Sequence, residues 1–249
     1  MEIKKITKLK NGQYQLLLSD DSTINVYEDI IVAHQLLPNK KIDDQLLAQI
    51  NIDNQYATSY NLALKYLNYR LRSEQEIIDY FTNKNITNEI INATITKLKA
   101  QNYINDQVFT QAFINDKILM TNWGPYKIQN ELQKYGIFSD VNTIMTGDII
   151  EKRVKAIIKK MTVRNKSLSL NMLKNKILNY LINIGYSKDM VINYIDELEL
   201  PNEYQNYKKE YEKLYRKYKD KYPEEQLDKI IKNKLYQKGF DCSKFTNEH

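Results

Sequence analysis

Ile128-Gln129-Asn130-Glu131-Leu132-Gln133-Lys134-Tyr135-Gly136-Ile137 reads as the end of a helix and its stop signal. Ile128 and Leu132 lie four residues apart, on one helix face. Gly136 follows where a helix ends in the left-handed conformation, which Gly and Asn tolerate. The same pattern recurs as Ile77, Phe81, Asn85 and Ile86, as Ile177, Leu181, Gly185 and Tyr186, and as Ile231, Leu235, Gly239 and Phe240. Successive Ile positions are 51, 49 and 54 residues apart. A period of about 50 residues holds three short helices per unit, and stacked units of that kind form a solenoid. The reading competes with four coincidental helix ends, and the near-constant spacing favours the repeat.

Upstream of the repeats the texture is strand-like. Ile3 to Lys10 and Gln13 to Ser19 flank Asn11-Gly12, the signature of a type I′ hairpin turn. Asp20-Asp21 marks a second turn before Ser22 to Tyr27, where apolar residues alternate as in a half-buried strand. A short helix is expected over Glu28 to Gln35, and Asp43 is placed to cap another. Ser73-Glu74-Gln75-Glu76 has the capping-box form, and Pro223-Glu224-Glu225 reads as a helix start with Pro in the first position. The expected fold is mainly α: tandem three-helix repeats in an elongated solenoid-like array, preceded by a small β-meander. The expected divisions are 1–56 for the meander with short helices, 57–104, 105–147 and 148–200 for three repeats, and 201–249 for a truncated fourth.

Composition bounds the function. The chain of 249 residues has 42% hydrophobic residues, enough for a packed core, and 27% charged residues. Its mean hydropathy is −0.61 and it has no apolar run long enough to cross a bilayer, so a soluble, cytoplasmic protein without membrane contact is expected. The start of the chain lacks a signal-peptide core. Cys242 is the single cysteine, which excludes an internal disulfide, and only His34 and His249 are histidines. No Ser-His-Asp triad, two-His metal site or phosphate-binding glycine loop is present in the sequence, so neither catalysis nor a cofactor is expected. Acidic pairs such as Asp20-Asp21 and Asp43-Asp44 read better as turn and cap residues than as Mg²⁺ ligands.

Charge is uneven. The formal net charge is +6, yet residues 152–188 carry ten basic residues and no acidic one. They include Lys152, Arg153, Lys155, Lys159, Lys160, Arg164, Lys166, Lys174 and Lys176. Such a run is either a solvated face balanced by neighbouring helices or a surface for phosphates, which Lys and Arg bind by releasing condensed counterions. Tyr204, Tyr207, Tyr211, Tyr215, Tyr218 and Tyr222 recur on one helix face, a pattern that reads as the core side of an amphipathic helix before it reads as a base-stacking platform. Trp123 beside Gly124-Pro125 is expected to anchor an interhelical turn.

Ala63-Leu64-Lys65-Tyr66-Leu67-Asn68-Tyr69-Arg70-Leu71-Arg72-Ser73 with Glu76-Ile77 resembles the first repeat of the RecX family. Asn102-Tyr103-Ile104-Asn105-Asp106 with Phe109, Ala112 and Phe113 is similar to the start of its second, and Trp123-Gly124-Pro125-Tyr126-Lys127-Ile128 with Glu131-Leu132 and Gly136-Ile137 to the stretch that follows. The N-terminal meander is similar to the extension of longer Gram-positive members. Asn85 and Asn102 stand where relatives often carry Gly or a charge, Gln107 replaces a usual acid, and Lys117 and Lys127 replace frequent Arg, losing the bidentate fork.

The resemblance implies a non-enzymatic regulator, mainly an inhibitor, of the RecA recombinase. It would bind RecA filaments on single-stranded DNA and modulate ATP hydrolysis, strand exchange, DNA repair and the SOS response. The expected partners are the RecA filament and single-stranded DNA, with double-stranded DNA as an open addition, and the expected state is a monomer. Contacts are assigned to Arg70, Arg72, Lys127 and the basic residues from Lys152 to Lys176 named above. The alternatives are a stand-alone helical DNA-binding protein and, less favoured, a metal-dependent nuclease.

Overall fold

The computed structural model describes residues 1–200 and 203–245. Three antiparallel strands, β1 (Ile3–Lys8), β2 (Tyr14–Leu18) and β3 (Thr23–Val26), pair in the order β1-β2-β3. Helices follow as α1 (Glu28–Ala33), α2 (Asp44–Leu67), α3 (Glu74–Thr82), α4 (Asn88–Ala100), α5 (Asp106–Met120) and α6 (Pro125–Gln133). After a 3₁₀ turn at Val141–Thr143 come α7 (Gly147–Arg164), α8 (Leu170–Asn183), α9 (Lys188–Asp196), α10 (Glu203–Tyr218) and α11 (Glu224–Gln237), then a 3₁₀ turn at Cys242–Phe245. The chain divides into two compact units, one of residues 1–110 with 135–137 and one of the remainder.

In the first unit the meander buries Ile3, Leu16, Leu18 and Val26 against Ile30, Leu36 and Ile50 from α1, its exit loop and α2. The β1–β2 connection differs from the type I′ expectation. Gly12 has φ +86° while Asn11 does not enter the left-handed region. Leu9 and Gln13 bracket three residues, and the Asn11 side chain accepts from the Gln13 amide, so the loop is a type I turn completed by a left-handed glycine. Asp20 and Asp43 act as turn and cap residues: Asp20 accepts from Ser22, and Asp43 caps the Leu46 amide. The division expected at 56/57 falls inside α2, one continuous helix of 24 residues that joins the meander's core to the first repeat. The polar and apolar residues of α2 segregate weakly, which hides its length in the sequence.

The repeated stop signal is a structural fact. Ile77, Phe81, Ile128, Leu132, Ile177, Leu181, Ile231 and Leu235 are all fully buried. Asn85, Gly136, Gly185 and Gly239 have φ of +57°, +74°, +95° and +77°. Behind three of these residues the next amide returns to the helix: Ile86 donates to the Phe81 carbonyl, Tyr186 to Leu181 and Phe240 to Leu235. That closure satisfies terminal carbonyls and turns an apolar side chain back onto the core. Asn102, with φ +58°, ends α4 the same way through Tyr103 and the Leu98 carbonyl. Third helices follow the stop as α4 and α9, and only 3₁₀ turns follow α6 and α11.

Four of the six tyrosines expected on the core face of one helix are core: Tyr204, Tyr207, Tyr211 and Tyr218 of α10 pack with Leu227, Ile231 and Phe240, while Tyr215 is exposed on α10 and Tyr222 is exposed in the turn after the helix ends at Tyr218. Pro223 sits at the N-cap of α11, one residue before the position its sequence suggests.

In the second unit α6 starts on the end of α8. The Gly124 amide donates to the Ile184 carbonyl at 2.7 Å and the Tyr126 amide to the Gly185 carbonyl at 3.1 Å. Orphan donors at one helix start thereby meet orphan acceptors at another helix end. Gly124 has an ordinary φ of −85°, so its need for glycine is purely spatial: an added Cβ would collide with the Gly185 backbone. At Gly185 an added Cβ would stand 2.5 Å from the Lys127 amide nitrogen, and at Gly136 it would meet the flexible Gln75 side chain at 2.9 Å. Gly124→Ala and Gly185→Ala should therefore each lower unfolding stability by about 3 kcal/mol, from overpacking plus, at Gly185, left-handed strain. Gly136→Ala should cost less, about 1–2 kcal/mol, from its own left-handed φ of +74°. Urea midpoints of the three variants give the order, and an equal loss in all three would contradict the close approach.

Candidate nucleic-acid interface

Most of the basic run lies on α7. Asp148 occupies its first turn and Arg164 its last, each complementing the helix dipole, and Ile150, Val154, Ile157 and Ile158 form its buried side. The remaining circumference presents Lys152, Lys155, Lys159, Lys160 and Arg164 to solvent, and Lys166 follows in the turn to α8.

The structure sorts these cations by partner. Arg153, expected on the contact surface, is half-buried and braces the α5–α6 linker. Its guanidinium donates to the carbonyls of Ile118, Thr121 (2.6 Å) and Trp123 (3.3 Å), and its Nε to the Tyr186 hydroxyl (3.3 Å). Lys155 pairs with Glu151 at 2.5 Å, one helical turn away, and that hydrogen bond raises its ammonium pKa. Lys174 donates to the Asp196 carbonyl and Lys176 to the Asn165 side chain. Lys152, Lys159, Lys160, Arg164 and Lys166 are exposed and form no ion pair among the described residues. Only Lys155 is thus balanced by an acid; those five cations, on α7 and the turn after it, also lack a side-chain hydrogen-bond partner among the described residues, and Lys188 at the start of α9 is exposed without an ion pair as well.

Arg70 and Arg72 belong to the first unit, and the basic run to the second. Both bind Glu76, Arg70 through Nη2 at 2.5 Å and Arg72 through Nη1 at 3.0 Å. Glu76 also completes the capping box by accepting from the Ser73 amide. The Arg72 guanidinium lies 4.0 Å from the Tyr66 ring centre, and Tyr66 stacks on Tyr80 with 4.2 Å between centroids. Lys84 closes the far end of this column over Tyr80. Arg72 is nearly buried and belongs to the fold, while Arg70 keeps half of its side chain in solvent.

Lys127 and Lys117 both stand over the Trp123 ring, at 4.8 and 5.0 Å from its centre. Trp123 anchors the linker as expected, its indole flanked by ammonium groups.

Two residues that charge counting misses stand beside the free cations. Asn122 and Tyr180 line a cavity of about 200 Å³ together with Ile157, Lys160, Met161 and Arg164. No motif marks Asn122, a lone loop residue, and Tyr180 falls among the polar positions of α8.

The family described as "RecX, first three-helix domain" matches residues 60–98. A protein of Streptococcus sanguinis named "Regulatory protein RecX" is 32% identical over 98% of this chain and 96% of its own length. The solved structure titled "Crystal structure of regulatory protein RecX" superposes with a TM-score of 0.68 at 23% identity, covering 79% of this chain and all of that one. "Crystal structure of RecX from Lactobacillus salivarius" gives 0.56 at 27% identity over 59% of this chain and 97% of its own.

The Glu76 cluster makes a pH prediction. Burial works against its charge, but hydrogen bonds from Arg70, Arg72 and the Ser73 amide outweigh burial and hold its carboxyl below the usual glutamate range. A depressed folded pKa gives stability that is present above the unfolded value and lost as pH falls through the folded one. Glu76→Gln should cost about 2 kcal/mol at pH 7, the half-exposed Arg70 side being discounted for solvent screening. The gap between variant and parent should close as pH drops below the ordinary glutamate range. Urea unfolding from pH 7 to pH 3 measures it, and a pH-independent gap would rule out the ionic origin.

Proposed function

The chain belongs to the RecX family, and on that premise we propose that it is a non-enzymatic regulator, mainly an inhibitor, of a RecA-type recombinase, acting on the recombinase filament and its single-stranded DNA. The observation that carries the DNA part is the set of five cations on α7 and its following turn, Lys152, Lys159, Lys160, Arg164 and Lys166, which have no acidic partner among the described residues. A face of that sign attracts a polyanion and gains free energy by releasing its counterions. Lys155 lies on the same helix but is balanced by Glu151, which makes it an internal control. The family membership carries the recombinase part. DNA contact and recombinase contact add as linked binding events, so modest affinity for each gives a strong joint effect.

Replacing Lys152, Lys159, Lys160 and Arg164 together by Gln should leave the thermal midpoint within a few degrees of the parent, because exposed charges contribute little to folding. The log–log salt dependence of single-stranded DNA binding should become shallower by up to about 3 units, from about 0.7 per lost phosphate contact. Inhibition of recombinase ATPase on single-stranded DNA should weaken in parallel. Lys155→Gln should change none of these. An unchanged salt slope and unchanged inhibition would remove α7 from the interface, whereas DNA binding without any effect on the ATPase would favour a stand-alone DNA-binding protein.

A further inference from the structure

The cavity beside α7 has the makings of a more specific site than a charged face. Arg153, Ile157, Lys160, Met161 and Arg164 share one side of the helix by their spacing of three and four residues. Ile157 is buried and Met161 half-buried, and together they give the cavity an apolar floor. Tyr180 of α8, with about a third of its surface exposed, and Asn122 of the α5–α6 linker also line it. Lys160 and Arg164 bring two of the unpaired cations to the same cavity, and the lining residues include no carboxylate. The amide of Asn165 is already engaged with the Met161 carbonyl and the Lys176 ammonium, while that of Asn122 has no partner among the described residues. Asn122 is nevertheless held in place, because Arg153 grips the carbonyls on either side of it, at Thr121 and Trp123.

From this arrangement we infer that the cavity takes one unpaired nucleobase of single-stranded DNA, stacked on the Tyr180 ring, with its polar edge toward the Asn122 amide and neighbouring phosphates on Lys160 and Arg164. The inference rests on the reading of α7 as a DNA-facing surface and extends it from charge to strand type. A volume of about 200 Å³ suits a single heterocycle and falls below the roughly 300–1,000 Å³ of whole small-molecule sites. Aromatic stacking is open to every base, so the site selects unpaired strands and not a sequence. A paired base in a duplex keeps its faces covered by its neighbours and cannot enter without being extruded. Arg153 acts here as a positioning residue, since it fixes the linker and reaches no part of the cavity lining itself.

The test uses the full chain with a fluorescent-base oligonucleotide (2-aminopurine in a thymine tract) and a duplex of equal length. Tyr180→Ala should weaken single-stranded binding by roughly 5- to 150-fold, the range expected for losing one stacked base. It should abolish the fluorescence change while leaving duplex affinity and the salt slope as in the parent. Tyr180→Phe should keep single-stranded affinity within about twofold, since the ring carries the stacking. Lys160→Gln with Arg164→Gln should flatten the salt slope on both kinds of DNA. If Tyr180→Ala changes nothing while the Lys160 and Arg164 variants flatten the slope, α7 faces DNA but the base pocket is refuted. If Tyr180→Ala weakens single strand and duplex equally and lowers the thermal midpoint, Tyr180 is structural and the pocket is refuted. If neither set moves binding to any DNA, the α7 reading falls and takes the pocket with it.

Discussion

Each repeat turns on one residue with positive φ. After two buried apolar residues a turn apart, the second helix of the unit must stop and send the next apolar side chain back into the core. An L-residue with a Cβ resists the conformation this needs, so the chain uses Gly three times and Asn once at the four equivalent stops. Extending any of these helices by a turn would swing Ile86, Ile137, Tyr186 or Phe240 away from the core. All but Ile86 are almost fully buried, each contributing about 1.5–3 kcal/mol through apolar burial. Where the third helix of a unit shrinks to a 3₁₀ turn, as after α6 and α11, the stop and the returning side chain remain. The stop is therefore the more invariant part of the repeat within this one chain.

Cationic side chains here divide by what surrounds them. Arg153 and Arg72 sit low among carbonyls, a carboxylate and aromatic rings, where a planar guanidinium with several donors can satisfy several partners at once. The residues left open on α7 are mostly lysines, whose flexible stems keep the ammonium in water until a partner arrives. The ten charges of the run thus serve two purposes that the sequence does not separate: some lock helices together and others remain available.

The parts of this fold legible in the sequence are those whose determinants are local. The helix stops, the Ser73 capping box, the cap at Asp43 and the core face of the tyrosine helix each follow from residues within a few positions of one another. What escapes is what depends on distant partners. Nothing around Arg153 announces that three backbone carbonyls of another segment will surround it, because carbonyls carry no residue signature. The hairpin offered Asn-Gly, and the pairing of Leu9 with Gln13 decided that three residues, not two, would form the loop. Of the candidate site, the free lysines were visible as a charge imbalance. Asn122 and Tyr180 acquire meaning only when α7, α8 and the α5–α6 linker are brought together around one cavity.

The junction of Gly124 with Gly185 also has a temporal side. The two glycines are 61 positions apart, so during synthesis the first turn of α6 leaves the ribosome well before the end of α8 that satisfies its amides. At about 5–20 residues per second that interval is roughly 3–12 s. Helices form in microseconds or less, so the α5–α6 linker passes through this interval without its helix-end acceptors, and through about the first half of it without Arg153, which lies 29 positions after Gly124. The nascent chain is exposed to misdocking and proteolysis at this linker for seconds, until translation delivers its partners.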